Sequence, residues 1–211
     1  MKNNLKFWQT FYKIRYYPSI TVKQTADEIK FVKEFLPIKK YKNILDFVCG
    51  FGRHSIELAK NCYNIESFDI DKDSIENAMD MIAQIGLKNI KIYKKDALKF
   101  KKQNFFDAAI CLYSSVGFLD KKSNDIFFKN FFESIHVGGR VILDVMNPDW
   151  AIKNLNPYSE KEIFFEGKNY IINHTREILA KPIREKNIIK FIEKDNNKTN
   201  LISYIVQLYS Y

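Results

Sequence analysis

Between residues 43 and 146, short apolar runs alternate with segments whose apolar residues recur at helical spacing. No other feature restricts the fold as strongly. Asn43 to Val48, Asn64 to Ile70, Asn89 to Tyr93, Phe106 to Leu112 and Arg140 to Met146 have the length and composition of buried strands. Gly52 to Asn61, Asp73 to Ile85 and Ser123 to Ile135 read as helices, the second closed by Gly86, and Gly138-Gly139 reads as the turn into the last strand. Strand and helix alternating in this way imply a parallel sheet, because each crossover between parallel strands returns across a face of the sheet. The expected fold is α/β, a Rossmann-like parallel sheet with helices on both faces.

Flanking segments differ in texture. Residues 5 to 17 read as an aromatic-rich helix, and Thr25-Ala26-Asp27-Glu28 has the capping-box pattern of a helix running through Leu36 and stopped by Pro37. After Pro148 come EIFFEGKNYIINHTREIL, KNIIKFIEKD and TNLISYIVQLYSY, β-rich segments with turn signals at EGKN and DNNK. They predict a small antiparallel appendage. The expected division is a helical cap over 1–40, the sheet core over 41–150, and a β segment over 151–211 serving as substrate lid or dimerisation surface.

A chain of 211 residues suits one such core with an appendage. No apolar run approaches the roughly 18 to 20 residues a membrane-spanning helix needs, and no secretory leader pattern opens the chain. The three cysteines are odd in number and scattered, and the three histidines lack ligand spacing, so neither a disulfide framework nor a metal site is expected. Free thiols fit the cytoplasm. The net charge of +9 raises a polyanionic partner, but the lysines are spread rather than clustered, which weighs against nucleic acid.

The chemistry concentrates in ILDFVCGFGRHSIELAK, residues 44 to 60. In an open α/β sheet, ligands sit beyond the C-terminal ends of the strands, so the loop from Cys49 to Arg53 belongs at a binding site, with Gly50 and Gly52 allowing close approach. A dinucleotide is one candidate. However, the third glycine of GxGxxG is replaced by Ser55, and Asp46 before the loop would repel a pyrophosphate. S-adenosylmethionine is the other candidate, since its ammonium and sulfonium make a carboxylate an asset, directly or through bracing of the loop. Asp69 at the end of the second strand is placed to accept from ribose hydroxyls. Asp96 and Ala97 after the third strand suit an adenine edge, and Ile70 and Leu98 could sandwich the ring. Singly, each acid reads as a cap or a strand end; in strand order they favour the sulfonium cofactor.

Taken in order, ILDFVCGFGRHSIELA, SFDIDKDSIENA, YKKDAL, FDAAICLYSSVGFL and HVGGRVILDVMNPDW resemble the motifs of class I S-adenosylmethionine-dependent methyltransferases. The nearest pattern is a small-molecule-type bacterial branch with ILD-x-x-CG-x-GRHS-x-ELA. That resemblance implies S-adenosylmethionine as cofactor, S-adenosylhomocysteine as product and a small-molecule acceptor. Val48 stands where the branch commonly has alanine, proline or glycine; a β-branched residue suits a strand end and would crowd the methionine part of the cofactor. By the same resemblance, Leu112, Tyr113, Ser114 and Ser115 line the cofactor floor. Tyr113 then faces the transferred methyl, and a tyrosine of the first helix (Tyr12, Tyr16 or Tyr17) bonds the cofactor carboxylate. His54 and Tyr113 are the candidate catalytic groups, and His174 is a looser one; the catalytic residue itself is left open.

Members of that branch continue past a segment like LYSY with a helix and two strands completing a seven-stranded sheet. Their absence before Tyr211 implies missing C-terminal strands, an exposed edge, and a homodimer or lowered stability. Two other functions stay open at this point. An RNA methyltransferase is raised by the charge, although CLYS replaces the base-methylating tetrapeptide after the fourth strand. A degenerate cofactor-binding or structural protein is raised by Val48 and the chain end.

Overall fold

The structure, a computed structural model, describes residues 20–113, 115–165, 167–180 and 182–209. The helix expected over 5–17, with Tyr12, Tyr16 and Tyr17, and also Ser114, lie outside the described residues. Two compact units are present, 20–115 with 121–144 and 116–120 with 145–209.

In the first unit, β1 (Asn43–Phe47), β2 (Asn64–Asp69), β3 (Ile90–Lys94), β4 (Phe106–Cys111) and β5 (Ile135–Leu143) form one parallel sheet in the order β3-β2-β1-β4-β5. Its helices are α1 (Val22–Phe35), α2 (Arg53–Lys60), α3 (Lys72–Ile85) and α4 (Lys121–Glu133). The alternation of side chains along β1 divides its burial between two faces. Ile44 joins Ile29, Val32 and Leu36 of the α1 segment and Leu58 and Ala59 of α2 in one core. Phe47 faces the other way, among Phe68, Phe100, Phe127 and Phe131, at ring centroid distances of 4.9, 5.7, 4.9 and 5.2 Å, all in edge-on contact. Tyr63 is buried in the first core with its hydroxyl donated to the Leu36 carbonyl at 2.7 Å, which closes the end of α1.

Two local expectations are corrected. Helix α1 begins at Val22, with Thr21 as its cap accepting from the Gln24 N–H at 3.1 Å, so Thr25 sits one turn inside and Glu28 is not a capping residue. Both Thr21…Gln24 and Thr25…Glu28 have the Thr-x-x-Gln/Glu spacing of a capping box, so the pattern alone does not separate them. Gly138-Gly139 is not a turn before the last strand. It lies within β5, where the register jumps from Phe106↔Ile135 to Ala108↔Arg140 and the intervening residues bulge. A methyl group at Gly139 would meet Ile135 Cγ2 at 2.2 Å and the Asp107 carbonyl at 2.7 Å.

The second unit is a four-stranded antiparallel meander, β6 (Tyr158–Phe165), β7 (Lys168–Leu179), β8 (Arg184–Glu193) and β9 (Lys198–Gln207), paired in sequence order. A short helix absent from the sequence expectations, α5 (Pro148–Asn154), precedes it, capped by the Asn147 side chain on the Asp149 and Trp150 N–H groups. Ala151 of α5 packs with Val206 and Leu208, and with Phe118 and Met146 around them. Among the described residues, no helix is long and apolar enough to cross a membrane.

Because the Gly139 neighbours include backbone, Gly139→Ala should lower stability by about 1–3 kcal/mol. Urea denaturation would show this as a fall in midpoint with little change in slope.

Candidate cofactor site

The sheet order reverses between β1 and β4, which makes the crevice beyond their C-terminal ends the topological switch point. Both strands leave the sheet through a strained residue. Val48, directly after β1, has φ +65°, and Tyr113, shortly after β4, has φ +67°. Positive φ is rare for any side chain and a clear outlier for a β-branched one. The expected fit of valine to a strand end is therefore corrected. β1 stops at Phe47, and Val48 occupies a left-handed position that suits glycine. The glycines nearby serve the same sharp turn: Gly50 at φ +56° borders open space, and Gly52 at φ +74° caps α2, its missing side chain leaving room for Ile92 and Ala78.

Two buried carboxylates hold this loop. Asp46 points from β1 toward α2, is 2% exposed, and accepts from Ser55 Oγ at 2.6 Å. Burial raises its pKa, against the opposing influence of His54 and the Ser55 hydrogen bond. It acts on the loop through α2 and not by bonding loop amides. Asp69 does bond them: its Oδ2 accepts from the Gly50 N–H at 2.9 Å and its Oδ1 from the Asp71 N–H at 2.9 Å. Burial pushes its pKa up as well, the two N–H groups working in the other direction. A carboxylate offers about four acceptor sites, so Asp69 keeps capacity for a ligand hydroxyl beyond these backbone contacts. Ile70, next in the chain, is 45% exposed, an apolar surface at the mouth of the site.

Further along the edge, Asp96 Oδ1 accepts from the Leu98 N–H at 2.9 Å and caps the single 3₁₀ turn Ala97–Lys99. Cys49 donates its N–H to the Phe68 carbonyl at 2.9 Å, tying the loop to β2, and burial raises the Cys49 thiol pKa. Leu112 and Tyr113 follow β4, and the Tyr113 N–H is held by Asp144 Oδ2 at 2.9 Å. The residues 46, 48–50, 52, 69–70, 96–97 and 112–113 thus all lie at the C-terminal edge of the parallel sheet or in its first turns, while Tyr12, Tyr16, Tyr17 and Ser114 lie outside the described residues. His174 belongs to the antiparallel unit, where its Nε2 bonds Asn187 Oδ1 at 2.6 Å.

Pattern reading missed Glu28. Its carboxylate meets both Arg53 Nη1 and His54 Nε2, the latter at 2.8 Å, joining α1 to the first turn of α2. Arg53 also bonds Thr25 Oγ1 at 3.0 Å and lays its guanidinium over the Tyr113 ring at 4.5 Å, while Gln24 bonds the Tyr113 hydroxyl. His54 is buried in this cluster, paired and not facing open space. Burial alone would raise the Glu28 pKa, but the hydrogen bonds from His54 and Arg53 outweigh it and hold the carboxyl at about 2. The signal in the sequence was the helical spacing of Gln24, Thr25 and Glu28 on one face of α1, which a capping-box assignment conceals.

Two measurements test these constraints. With its folded pKa near 2 against a reference of 4.5, ionised Glu28 contributes stability that is fully present above about 4.5 and is lost as pH falls toward 2. The stability gap between the wild type and Glu28→Gln should therefore be constant at neutral pH and shrink through that acidic window in urea titrations. Val48→Gly should leave the melting temperature unchanged or raised, because relief of about 1–2 kcal/mol of left-handed strain offsets the lost side chain. An ordinary buried valine would show a clear drop.

Residues 44–139 match the methyltransferase domain family. Among curated relatives, the chain is 32% identical over 74 residues to a probable cobalt-precorrin-6B C(15)-methyltransferase (decarboxylating) of Methanococcus vannielii. The match covers 35% of this chain and 41% of that protein, so the chain spans less than half of the relative's length. Among solved structures, a S-adenosylmethionine-dependent methyltransferase from Clostridium acetobutylicum superposes with a TM-score of 0.68 at 18% identity, covering 97% of this chain and 81% of the other. A sugar N-methyltransferase from Streptoalloteichus sp. gives 0.67 at 16% identity, with 96% and 78% covered. At these identities the superpositions establish the fold alone, and the match over residues 44–139 is to a methyltransferase domain.

Proposed function

We propose that the protein transfers a methyl group from S-adenosylmethionine to a small-molecule acceptor by in-line displacement, in the cytoplasm. The observation that carries this is the Asp69 carboxylate, which braces Gly50 with one oxygen and Asp71 with the other at the mouth of an open turn. In this assignment Asp69 receives the ribose hydroxyls, and Gly50, Gly52, Val48 and Cys49 line the methionine part, with Asp46 holding their loop through Ser55. Asp96 and Ala97 meet the adenine edge, Ile70 covers the ring, and Leu112 forms the floor. The residues fit the cofactor because a side chain at Gly50 would meet nothing within 4 Å and Asp69 retains acceptor capacity. The bound cofactor supplies a methyl carbon already activated by its sulfonium, which leaves alignment and exclusion of water to the protein.

A small-molecule acceptor is supported by the likeness to the sugar N-methyltransferase. The cytoplasm is supported by the free thiols Cys49, Cys62 and Cys111. In this assignment Tyr113 faces the transferred methyl. His54, committed to Glu28, serves to position α1 and not as a base.

Calorimetric titration tests the assignment. The wild type should bind S-adenosylmethionine and S-adenosylhomocysteine, and Asp69→Asn should weaken both by about tenfold or more, the scale of one charge-assisted hydrogen bond. His54→Ala should bind within a few-fold of the wild type. Absence of wild-type binding at millimolar cofactor would overturn the proposal.

A further inference from the structure

A cavity of about 430 Å³ opens beside Tyr113 in the parallel-sheet unit, at the C-terminal ends of β4 and β5. Leu112, Ile142 and Leu143 form its sheet side, and Phe31 and Val32 of α1 form the facing wall. This volume is in the range of small-ligand pockets, and walls of this kind take an apolar body.

The polar groups around it are almost all acids. Asp27, Glu28 and Asp144 line the cavity, and no lysine, arginine or histidine stands among its described lining residues, although the chain carries a net charge of +9. The three carboxylates are not equally committed. Glu28 is engaged by Arg53 and His54. Asp144 spends Oδ2 on the Tyr113 N–H, and its Oδ1 has no partner among the described residues. Asp27 is exposed on α1 and likewise forms no ion pair there. An apolar chamber with two uncommitted carboxylates at its rim repels anions and offers a neutral ligand nothing to balance the charge.

We propose that this cavity is a binding site for an organic amine, its apolar body against Phe31, Val32 and Ile142 and its ammonium on Asp144, with Asp27 at the rim. That the amine is the methyl acceptor rests on the methyltransferase assignment; that it binds here does not. Tyr113 connects the two, since its backbone is held by Asp144 and its ring by Arg53 from the glycine loop's helix.

The test is a heteronuclear NMR titration of the whole chain near neutral pH with benzylamine, benzyl alcohol and benzoate. Benzylamine should bind about tenfold more tightly than benzyl alcohol, with benzoate weakest and shift changes centred on Phe31, Tyr113 and Ile142. Asp144→Asn keeps an oxygen for the Tyr113 N–H, so it should reduce benzylamine affinity about tenfold and leave benzyl alcohol unchanged. Equal binding of the three probes, no shifts with any of them, or indifference to Asp144→Asn would overturn the proposal. Should that variant unfold, the wild-type ranking decides alone. S-adenosylhomocysteine titrated into the same samples separates the two proposals. Amine binding without cofactor binding removes the methyltransferase assignment and keeps the cavity, and the converse removes only the cavity.

Discussion

β1 is covered on both faces, and the rest of the cofactor edge follows from that. Its alternating side chains must satisfy an aliphatic core on one side and a phenylalanine cluster on the other. One of them, Asp46, is a carboxylate taken almost wholly out of water. Such a group requires a donor at fixed geometry, and Ser55 provides it from the first turn of α2. The bond sets where α2 begins relative to β1, so the residues between must reverse direction within a very short span. Hence the left-handed angles at Val48, Gly50 and Gly52. The loop's shape follows from a buried carboxyl group that needs a donor, and its position is then fixed a second time by Asp69 from the neighbouring strand.

Strain at this edge is concentrated where the sheet order reverses. Val48 and Tyr113 leave adjacent strands, β1 and β4, and both hold backbone angles that side chains disfavour. Each is over-determined by its surroundings, as such residues must be to persist. Tyr113 is held at its N–H by Asp144, at its ring by Arg53 and at its hydroxyl by Gln24. Glu28 ties the same Arg53 to α1. The helix before the sheet, the first turn of α2 and the floor after β4 are therefore one connected assembly, joined by short polar contacts across an otherwise apolar boundary.

The parts of this arrangement visible in the sequence are those encoded by local periodicity. Five parallel strands, the helices between them, Gly86 as a cap and the antiparallel segment could all be read from spacing, because burial on one or two faces writes itself into the order of apolar residues. What spacing could not show depends on partners distant in sequence. Gly138-Gly139 resembles a turn until the register of β4 reveals a bulge. Glu28 resembles a cap until α2 brings Arg53 and His54 to it. Val48 resembles a strand residue because valine favours strands, and only the obligation to reverse after Phe47 forces it elsewhere. α5 is too short to show a helical period, and its Asn147 cap stands out only once the helix is known.

Net charge illustrates the same limit. An excess of nine positive charges suggests an anionic partner when summed over the chain, yet partners respond to local potential and not to the sum. The basic residues are dispersed, and several are already paired, as Lys102 is with Glu66 and Lys194 with Glu162. The C-terminal edge of the parallel sheet carries the opposite sign: Asp46 and Asp69 are buried in its first turns, and Asp27, Glu28 and Asp144 surround the neighbouring cavity. Low-dielectric surroundings strengthen the field of the buried Asp46 and Asp69, whereas Asp27 and Asp144 are exposed and screened like the lysines outside. The same sign suits a sulfonium cofactor and the amine proposed for the cavity, so one excess of carboxylates runs from the glycine loop to the adjoining cavity.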